Sequence, residues 1–302
     1  MASFEGIIPA LYTCFNSDGS VNYRETVRLA EWLVKKGVGG FYLCGTTGSG
    51  LLLTQDERKR ITNEVAEALA GQIPIMVHVG SMATREAIEL AEHAASFKGV
   101  AGISSLPPQY YPLPFEDEIE NLSVIAGATN LPFYPYLFGS LVDKYGIDKL
   151  IKGFSEIPNM AGVKAFVSDL SVHQLLITRS PETWQIFHGF DQCLLPALAI
   201  TGVNAAIGST YNVVPELAIA IYDAAKNGDF KTALLLNQKF GSYWISIHGF
   251  SFLEFGRYFL QERGFQMGQP RAPLRCPSKT EIEIVKHRME SYGFKLNSFD
   301  LV

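Results

Sequence analysis

The chain has 302 residues, 47% of them hydrophobic and 18% charged, which excludes intrinsic disorder, because a disordered segment lacks the apolar surface to offset its ordering entropy. Lys and Arg number 25 against 30 Asp and Glu, a net charge of −5, so the sequence carries no basic footprint for a nucleic-acid backbone or an anionic membrane. No apolar run reaches the roughly 18 residues of a spanning helix, residues 1–5 lack the basic and apolar regions of a secretion signal, and Cys14, Cys44, Cys193 and Cys276 show no metal-ligand spacing, so a cytoplasmic globular protein with reduced thiols is expected.

Short apolar runs alternate with helical patterns along most of the chain. The first run, residues 6–12, precedes an Asn22 to Glu25 capping box, a helical face of Val27, Ala30, Leu33 and Val34, and a stop at Gly37. Residues 40–44 form the second run, followed by a Thr54 to Glu57 box with Ile61, Val65 and Leu69 on one face and Gly71 after it. Further runs at 73–79, 100–106, 131–137, 160–166, 184–190 and 204–209 are followed by helical patterns at 84–96, 115–126, 143–154, 169–177, 191–200 and 215–227. Each run is about five to seven residues long with little polar alternation, as in parallel strands buried on both faces. Eight such strand–helix units predict an α/β fold of the closed (β/α)8 TIM-barrel type over residues 1–227; a doubly wound sheet would more often show an edge strand with polar alternation. Beyond Asn227-Gly228 the pattern is helical only, at 230–247, 251–263 and 278–292, which predicts a C-terminal helical extension over 228–302, rich in aromatics and packed on the barrel or on a partner subunit.

In such barrels the chemistry sits at the C-terminal ends of the strands. Lys164 is the one lysine inside an apolar strand-like run, Met160-Ala161-Gly162-Val163-Lys164-Ala165-Phe166. Burial disfavours an ammonium and frees the amine as a nucleophile for a carbonyl, although a strand-end lysine also reaches solvent by snorkelling. Gly45-Thr46-Thr47-Gly48-Ser49-Gly50 follows the second strand and offers hydroxyl and backbone donors to a small anion, or is simply a glycine-rich turn. Tyr136 ends the fifth run and either relays protons or packs with its hydroxyl satisfied; Tyr110 and Tyr111, in a proline-rich loop, carry the same alternatives. His188-Gly189-Phe190-Asp191 and Gly208-Ser209-Thr210-Tyr211-Asn212 close the seventh and eighth runs, with Asp191 equally suited to capping the next helix. The six histidines show no ligand pairing at helical spacing, so no metal is expected, and no dinucleotide fingerprint follows a strand.

Taken in order, these pieces resemble the N-acetylneuraminate lyase and dihydrodipicolinate synthase family of pyruvate-dependent class I aldolases, closest to the N-acetylneuraminate lyase branch. The resemblance spans essentially the whole chain and rests on Gly45-Thr46-Thr47-Gly48, Lys164, Gly208-Ser209-Thr210-Tyr211-Asn212 and Met267-Gly268-Gln269-Pro270-Arg271-Ala272-Pro273-Leu274. It implies a carbon–carbon lyase in which Lys164 forms an imine with a 2-oxo acid and no separate cofactor is needed. Tyr136 then matches the proton-relaying tyrosine, Thr46 its hydrogen-bonded partner, and Thr47 the donor to the pyruvate carboxylate. Tyr110 matches a tyrosine that crosses a subunit interface, which implies a homotetramer. Gly189, Asp191 and Ser209 match positions that hold the tail of the sugar acid. The implied partners are a small 2-oxo acid and an aldehyde.

The departures concern the aldehyde half. Ser49 replaces the usual glutamate, and Leu137-Phe138-Gly139 replaces the polar and proline positions after the tyrosine. Leu141 stands where dihydrodipicolinate synthases carry an arginine for a second carboxylate, which argues against a lysine-biosynthesis role. Phe166 replaces a small hydroxyl residue, and Gln192 a glutamate. The resemblance makes an N-acetylneuraminate-like sugar acid the first substrate expected, and these more apolar replacements make a 4-hydroxy-2-oxo acid with a less polar tail the second. A synthase, hydratase or decarboxylase using the same imine, and a non-catalytic barrel that binds a 2-oxo acid, are the alternatives.

Overall fold

The computed structural model describes residues 4–108 and 110–295. Strands β1 (Gly6–Pro9), β2 (Phe41–Leu43), β3 (Ile75–His78), β4 (Val100–Ser105), β5 (Phe133–Phe138), β6 (Gly162–Phe166), β7 (Gln185–His188) and β8 (Ala205–Gly208) pair in the order β1-β8-β7-β6-β5-β4-β3-β2, every pair parallel. A parallel bridge between Ala10 and Tyr42 joins β1 to β2 and closes the ring, with Leu11 N–H donating to Tyr42 O at 3.0 Å. The TIM barrel expected from the alternating runs is therefore the observed fold.

The pleat sorts each strand into two sets. On β5 and β6, Phe133, Leu137, Val163 and Ala165 face the helices and join the main core. Tyr134 instead belongs to a second cluster inside the barrel, with Phe4, Ile8, Tyr42, Met76, Phe187 and Ile207. Because both faces are buried, the strands read as continuous apolar runs. Phe4, Tyr134 and Phe187 meet edge to face at 5.3–6.2 Å and fill the lumen one layer below Tyr136. The lumen is thus packed at its lower end, and side chains one pleat higher have room to line a site.

The connecting helices are α1 (Tyr23–Lys36), α2 (Gln55–Leu69), α3 (Thr84–Ala95), α4 (Phe115–Gly127), α5 (Gly139–Tyr145), α6 (Ile147–Phe154), α7 (Leu170–Arg179), α8 (Leu194–Thr201) and α9 (Pro215–Lys226). The Thr54/Glu57 capping box forms in full, at 3.2 and 2.9 Å. The Asn22/Glu25 box forms only by half: Asn22 accepts from Glu25 N–H, but the Glu25 carboxylate turns to Arg28 and to Gln266 N–H. The single helix expected at 143–154 is two helices, because Gly146 at φ +73° breaks the ladder. The pattern at 191–200 starts as a 3-10 turn over Asp191–Cys193 before α8 begins.

Helices α10 (Phe230–Ile247), α11 (Phe252–Glu262) and α12 (Lys279–Ser291) make up the C-terminal extension, whose last residues, 296–302, lie outside the described residues. Phe240, Tyr243, Phe255, Phe259 and Val285 belong to the same hydrophobic core as the barrel's outer face. Arg257 on α11 fastens this layer. It is 3% exposed and donates to Met267 O and to Thr13 O, the latter at 2.9 Å. Arg257→Met leaves the buried Thr13 carbonyl unpaired, while Met267 O keeps its bond from Phe15 N–H, and should cost about 1–3 kcal/mol. Urea denaturation should show a lower midpoint with an unchanged slope; an unchanged midpoint would mean that the apolar packing alone holds the extension in place.

Candidate active site

Tyr136 on β5 and Lys164 on β6 are register partners, and both point into the lumen. Lys164 is 4% exposed and its amine crosses the barrel, with Nζ 3.9 Å from the centre of the Tyr42 ring and 3.7 Å from that of Tyr136. The two rings meet edge to face at 6.3 Å. Burial lowers the Lys164 pKa to about 7, opposed only by the Asp191 carboxylate. Aromatic faces attract the ammonium but do not neutralise it, and no ion pair to Lys164 is formed among the described residues, so desolvation dominates.

Asp191, at the end of β7, is 6% exposed, and burial raises its carboxyl to about 6. Thr210 counters this by donating to Oδ2 from its backbone N–H at 2.9 Å and from its hydroxyl at 2.5 Å. The carboxylate fits because β8 ends in Gly208: a Cβ there would fall 2.2 Å from Asp191 Oδ1.

The turn after β2 is held rigidly. Cys44 and Ser49 adopt φ +56°, and a Cβ on Gly50 would lie 1.7 Å from Cys44 O. Thr13 Oγ1 donates to Gly48 O at 2.7 Å. This geometry sets Thr47 against Ser209 of the β8 loop, their hydroxyls 2.8 Å apart. The neighbouring Thr46 is exposed and hydrogen-bonds the Tyr136 phenol, whose pKa burial pushes up. Gly189 directly follows β7 and lies against β6, its N–H donating to Ala165 O at 2.8 Å, and a Cβ there would meet that oxygen at 2.8 Å. Its place is thus explained by strand contact alone.

The structure brings Lys164, Tyr136, Thr46, Thr47, Asp191, Ser209 and Phe166 to one end of the barrel. Tyr110, in the loop between β4 and α4, is shown in contact with none of them: within its own chain this residue is 79% exposed, edge-on to Tyr111 at 5.2 Å.

Several neighbours were not singled out in the sequence. Tyr42 forms one face of the amine's site, its phenol hydrogen-bonded to Ser104 Oγ at 3.1 Å. Phe138 stacks on Tyr136 at 4.3 Å, and Phe190 tilts onto Phe166 at 5.5 Å. Behind β7, His188 Nε2 lies 2.6 Å from Phe190 O and therefore donates to it, leaving Nδ1 to accept from His173 Nε2 at 3.2 Å. Burial drives both rings to the neutral form, His188 to about 3, and the relay fixes the loop that carries Phe190 and Asp191. Arg58, 4% exposed, donates to His78 O at 2.6 Å and Gly80 O at 2.9 Å and so holds the end of β3. Inward phase was the only signal for Tyr42, and Phe138 was named only as a departure from the family pattern. Among the described residues, no group of three His, Cys, Asp or Glu side chains is placed to hold a metal ion. Nor is any helix among them long and apolar enough to cross a membrane.

Such a site can present a neutral primary amine to a carbonyl, beside a protonated phenol and a hydroxyl pair suited to an anion. Comparisons with known proteins show the family to which the chain belongs. The model of the dihydrodipicolinate synthetase family matches residues 3–290. The N-acetylneuraminate lyase of Rhizobium meliloti is 32% identical over 229 residues, 76% of this chain and 75% of that protein. The 4-hydroxy-tetrahydrodipicolinate synthase of Methanopyrus kandleri is 31% identical over 298 residues, 96% of each chain. Among solved structures, a catalytic lysine mutant of the Ruminococcus gnavus sialic acid aldolase superposes with a TM-score of 0.88 at 26% identity, covering 97% of this chain and 98% of that one.

The buried amine has a measurable cost. Folded Lys164 is neutral above about pH 7, whereas a lysine in the unfolded chain stays protonated to about pH 10.4. In that window the unfolded state holds the extra proton, so this group's contribution to stability improves as pH rises. Lys164→Met should therefore be more stable than the wild type at pH 7. Its advantage should shrink by about 1.4 kcal/mol per pH unit toward pH 10 in urea denaturation. A gap independent of pH would show that the folded amine stays protonated.

Proposed function

Because the chain belongs to the dihydrodipicolinate synthetase family and is a carbon–carbon lyase, we propose that it makes or breaks the C3–C4 bond of a 4-hydroxy-2-oxo acid through an imine on Lys164. The observation that carries this reading is the Lys164 amine buried between the faces of Tyr42 and Tyr136, with its pKa lowered to about 7. The amine adds to the C2 ketone and water is lost, giving a protonated imine. As the C4 hydroxyl gives up its proton, the C3–C4 electron pair moves toward the imine nitrogen, releasing an aldehyde and leaving an enamine. Protonation at C3 and hydrolysis then return pyruvate and the free amine.

In this reading Tyr136 takes the proton from the C4 hydroxyl while passing its own toward Thr46, and Thr47 holds the carboxylate through its hydroxyl and backbone N–H. Tyr110 completes the relay in a neighbouring subunit of a homotetramer, consistent with its exposure in the single chain. Asp191, Ser209 and Gly189 border the substrate tail, and Phe166 closes over it. The imine is itself the electron sink, so the reading needs neither metal nor bound cofactor. Its partners are a small 2-oxo acid and an aldehyde in the cytoplasm, with no nucleic acid or membrane.

The N-acetylneuraminate lyases among the relatives make a sugar acid of that type the first substrate to test. A less polar 2-oxo acid is the second, favoured by the phenylalanines beside Tyr136. Borohydride reduction with pyruvate should leave a pyruvate-sized adduct on the wild type and none on Lys164→Arg, read by intact mass. Tyr136→Phe should still be trapped yet lose C–C cleavage by about 10²–10⁴-fold, the usual worth of positioned acid–base catalysis. No adduct on the wild type would reduce the protein to a binding barrel.

A further inference from the structure

One pleat above the amine, the barrel mouth changes character from side to side. Phe138 and Phe166 are register partners two residues beyond Tyr136 and Lys164, so they point the same way, into the mouth. Phe138 and Phe166 meet at 5.7 Å and 68°, Phe166 and Phe190 at 5.5 Å and 54°, and Phe138 stacks on Tyr136 at 4.3 Å. All three phenylalanines are half-buried, so part of each ring remains open. None brings a hydrogen-bonding side-chain atom to the ends of β5, β6 and β7. Across the mouth the situation reverses. In a ring of eight strands β2 stands four places from β6, and its turn presents Thr46 and Thr47, the latter bonded to Ser209.

A 2-oxo acid tethered at Lys164 must send its carboxylate and its C3 chain in different directions from C2. With the carboxylate on the Thr47 side, the chain beyond C3 runs toward Phe138, Phe166 and Phe190. Resting on the imine reading above, we propose that these three residues form the aldehyde subsite and that it takes an apolar aldehyde bearing a planar aromatic ring, in preference to a polyhydroxylated one. Tilted rings at 5.5–5.7 Å already form a herringbone that a guest ring extends edge to face. A polyol pressed against the same three rings loses hydrogen bonds to water and finds no partner among them, Asp191 beside them having its Oδ2 already taken by Thr210. Phe166 sits at the centre, touching both of the other two rings and Tyr136, and so sets the preference.

The test is the aldol addition of pyruvate to benzaldehyde, phenylacetaldehyde, glyceraldehyde and N-acetylmannosamine, with the borohydride-trapped pyruvate adduct measured on the same preparations. The aromatic aldehydes should exceed N-acetylmannosamine in kcat/KM by at least about tenfold. Phe166→Ser should lower kcat/KM for the aromatic aldehydes by about 10–10²-fold, mainly through KM, with a pyruvate adduct still formed. Phe138→Leu, which keeps an apolar side chain, should give a smaller loss in the same direction. An adduct accompanied by equal or better use of N-acetylmannosamine, by no turnover of the aromatic aldehydes, or by a Phe166→Ser profile identical to wild type overturns the apolar subsite and leaves the imine reading intact. The absence of an adduct overturns both.

Discussion

A single primary amine held out of water, with aromatic faces in place of a counter-charge, governs the upper end of this barrel. Lys164 can occupy that position only because the lumen below it is filled by Phe4, Tyr134 and Phe187, and because Tyr42 and Tyr136 offer faces on both sides. A buried carboxylate beside it would pair with the ammonium and hold the proton in place. Asp191 instead spends Oδ2 on Thr210 and acts on the amine only at a distance. Much of the remaining architecture keeps this arrangement rigid: Gly208 makes room for Asp191, Arg58 holds the end of β3, and the His188–His173 relay fixes the loop carrying Phe190.

The barrel itself was legible because parallel strands covered on both faces read as apolar runs, and helices between them announce themselves by caps. Lys164 stood out for the same reason, as a charge inside such a run. Local backbone geometry was less legible. Nothing in the composition of 143–154 shows that Gly146 adopts φ +73° and divides the helix, and the Asn22/Glu25 box looked complete until Gln266, 241 residues away, took the glutamate. Tyr42 escaped notice, and Phe138 and Phe190 were named only as parts of longer motifs, because an aromatic in a strand gives no sign of which face it lies on. That requires the phase of the pleat and, for Phe190, the path of a loop beyond the strand. Gly189 shows the converse: a position matched to a substrate tail by resemblance has a sufficient cause in its contact with Ala165 O. Tyr110 is exposed in the single chain, and its proposed role belongs to an assembly rather than to one chain.

The two walls of the mouth divide the labour of recognition. The Thr47 hydroxyl on the β2 turn, braced by Ser209, suits the carboxylate end that every 2-oxo acid shares, while the wall formed by β5, β6 and β7 meets whatever differs between substrates. In that division a change of aldehyde needs no change in the imine site, which gives a physical reason why relatives named as N-acetylneuraminate lyases and as a 4-hydroxy-tetrahydrodipicolinate synthase share one fold with this chain.

The central claim, that burial alone frees the Lys164 amine near neutral pH, is tested most directly by the rate of imine formation with saturating pyruvate as a function of pH. The rate should rise with an apparent pKa of about 7, the value to which burial lowers this amine. A rate that keeps rising tenfold per pH unit to about pH 10, as for a solvated lysine, would contradict it.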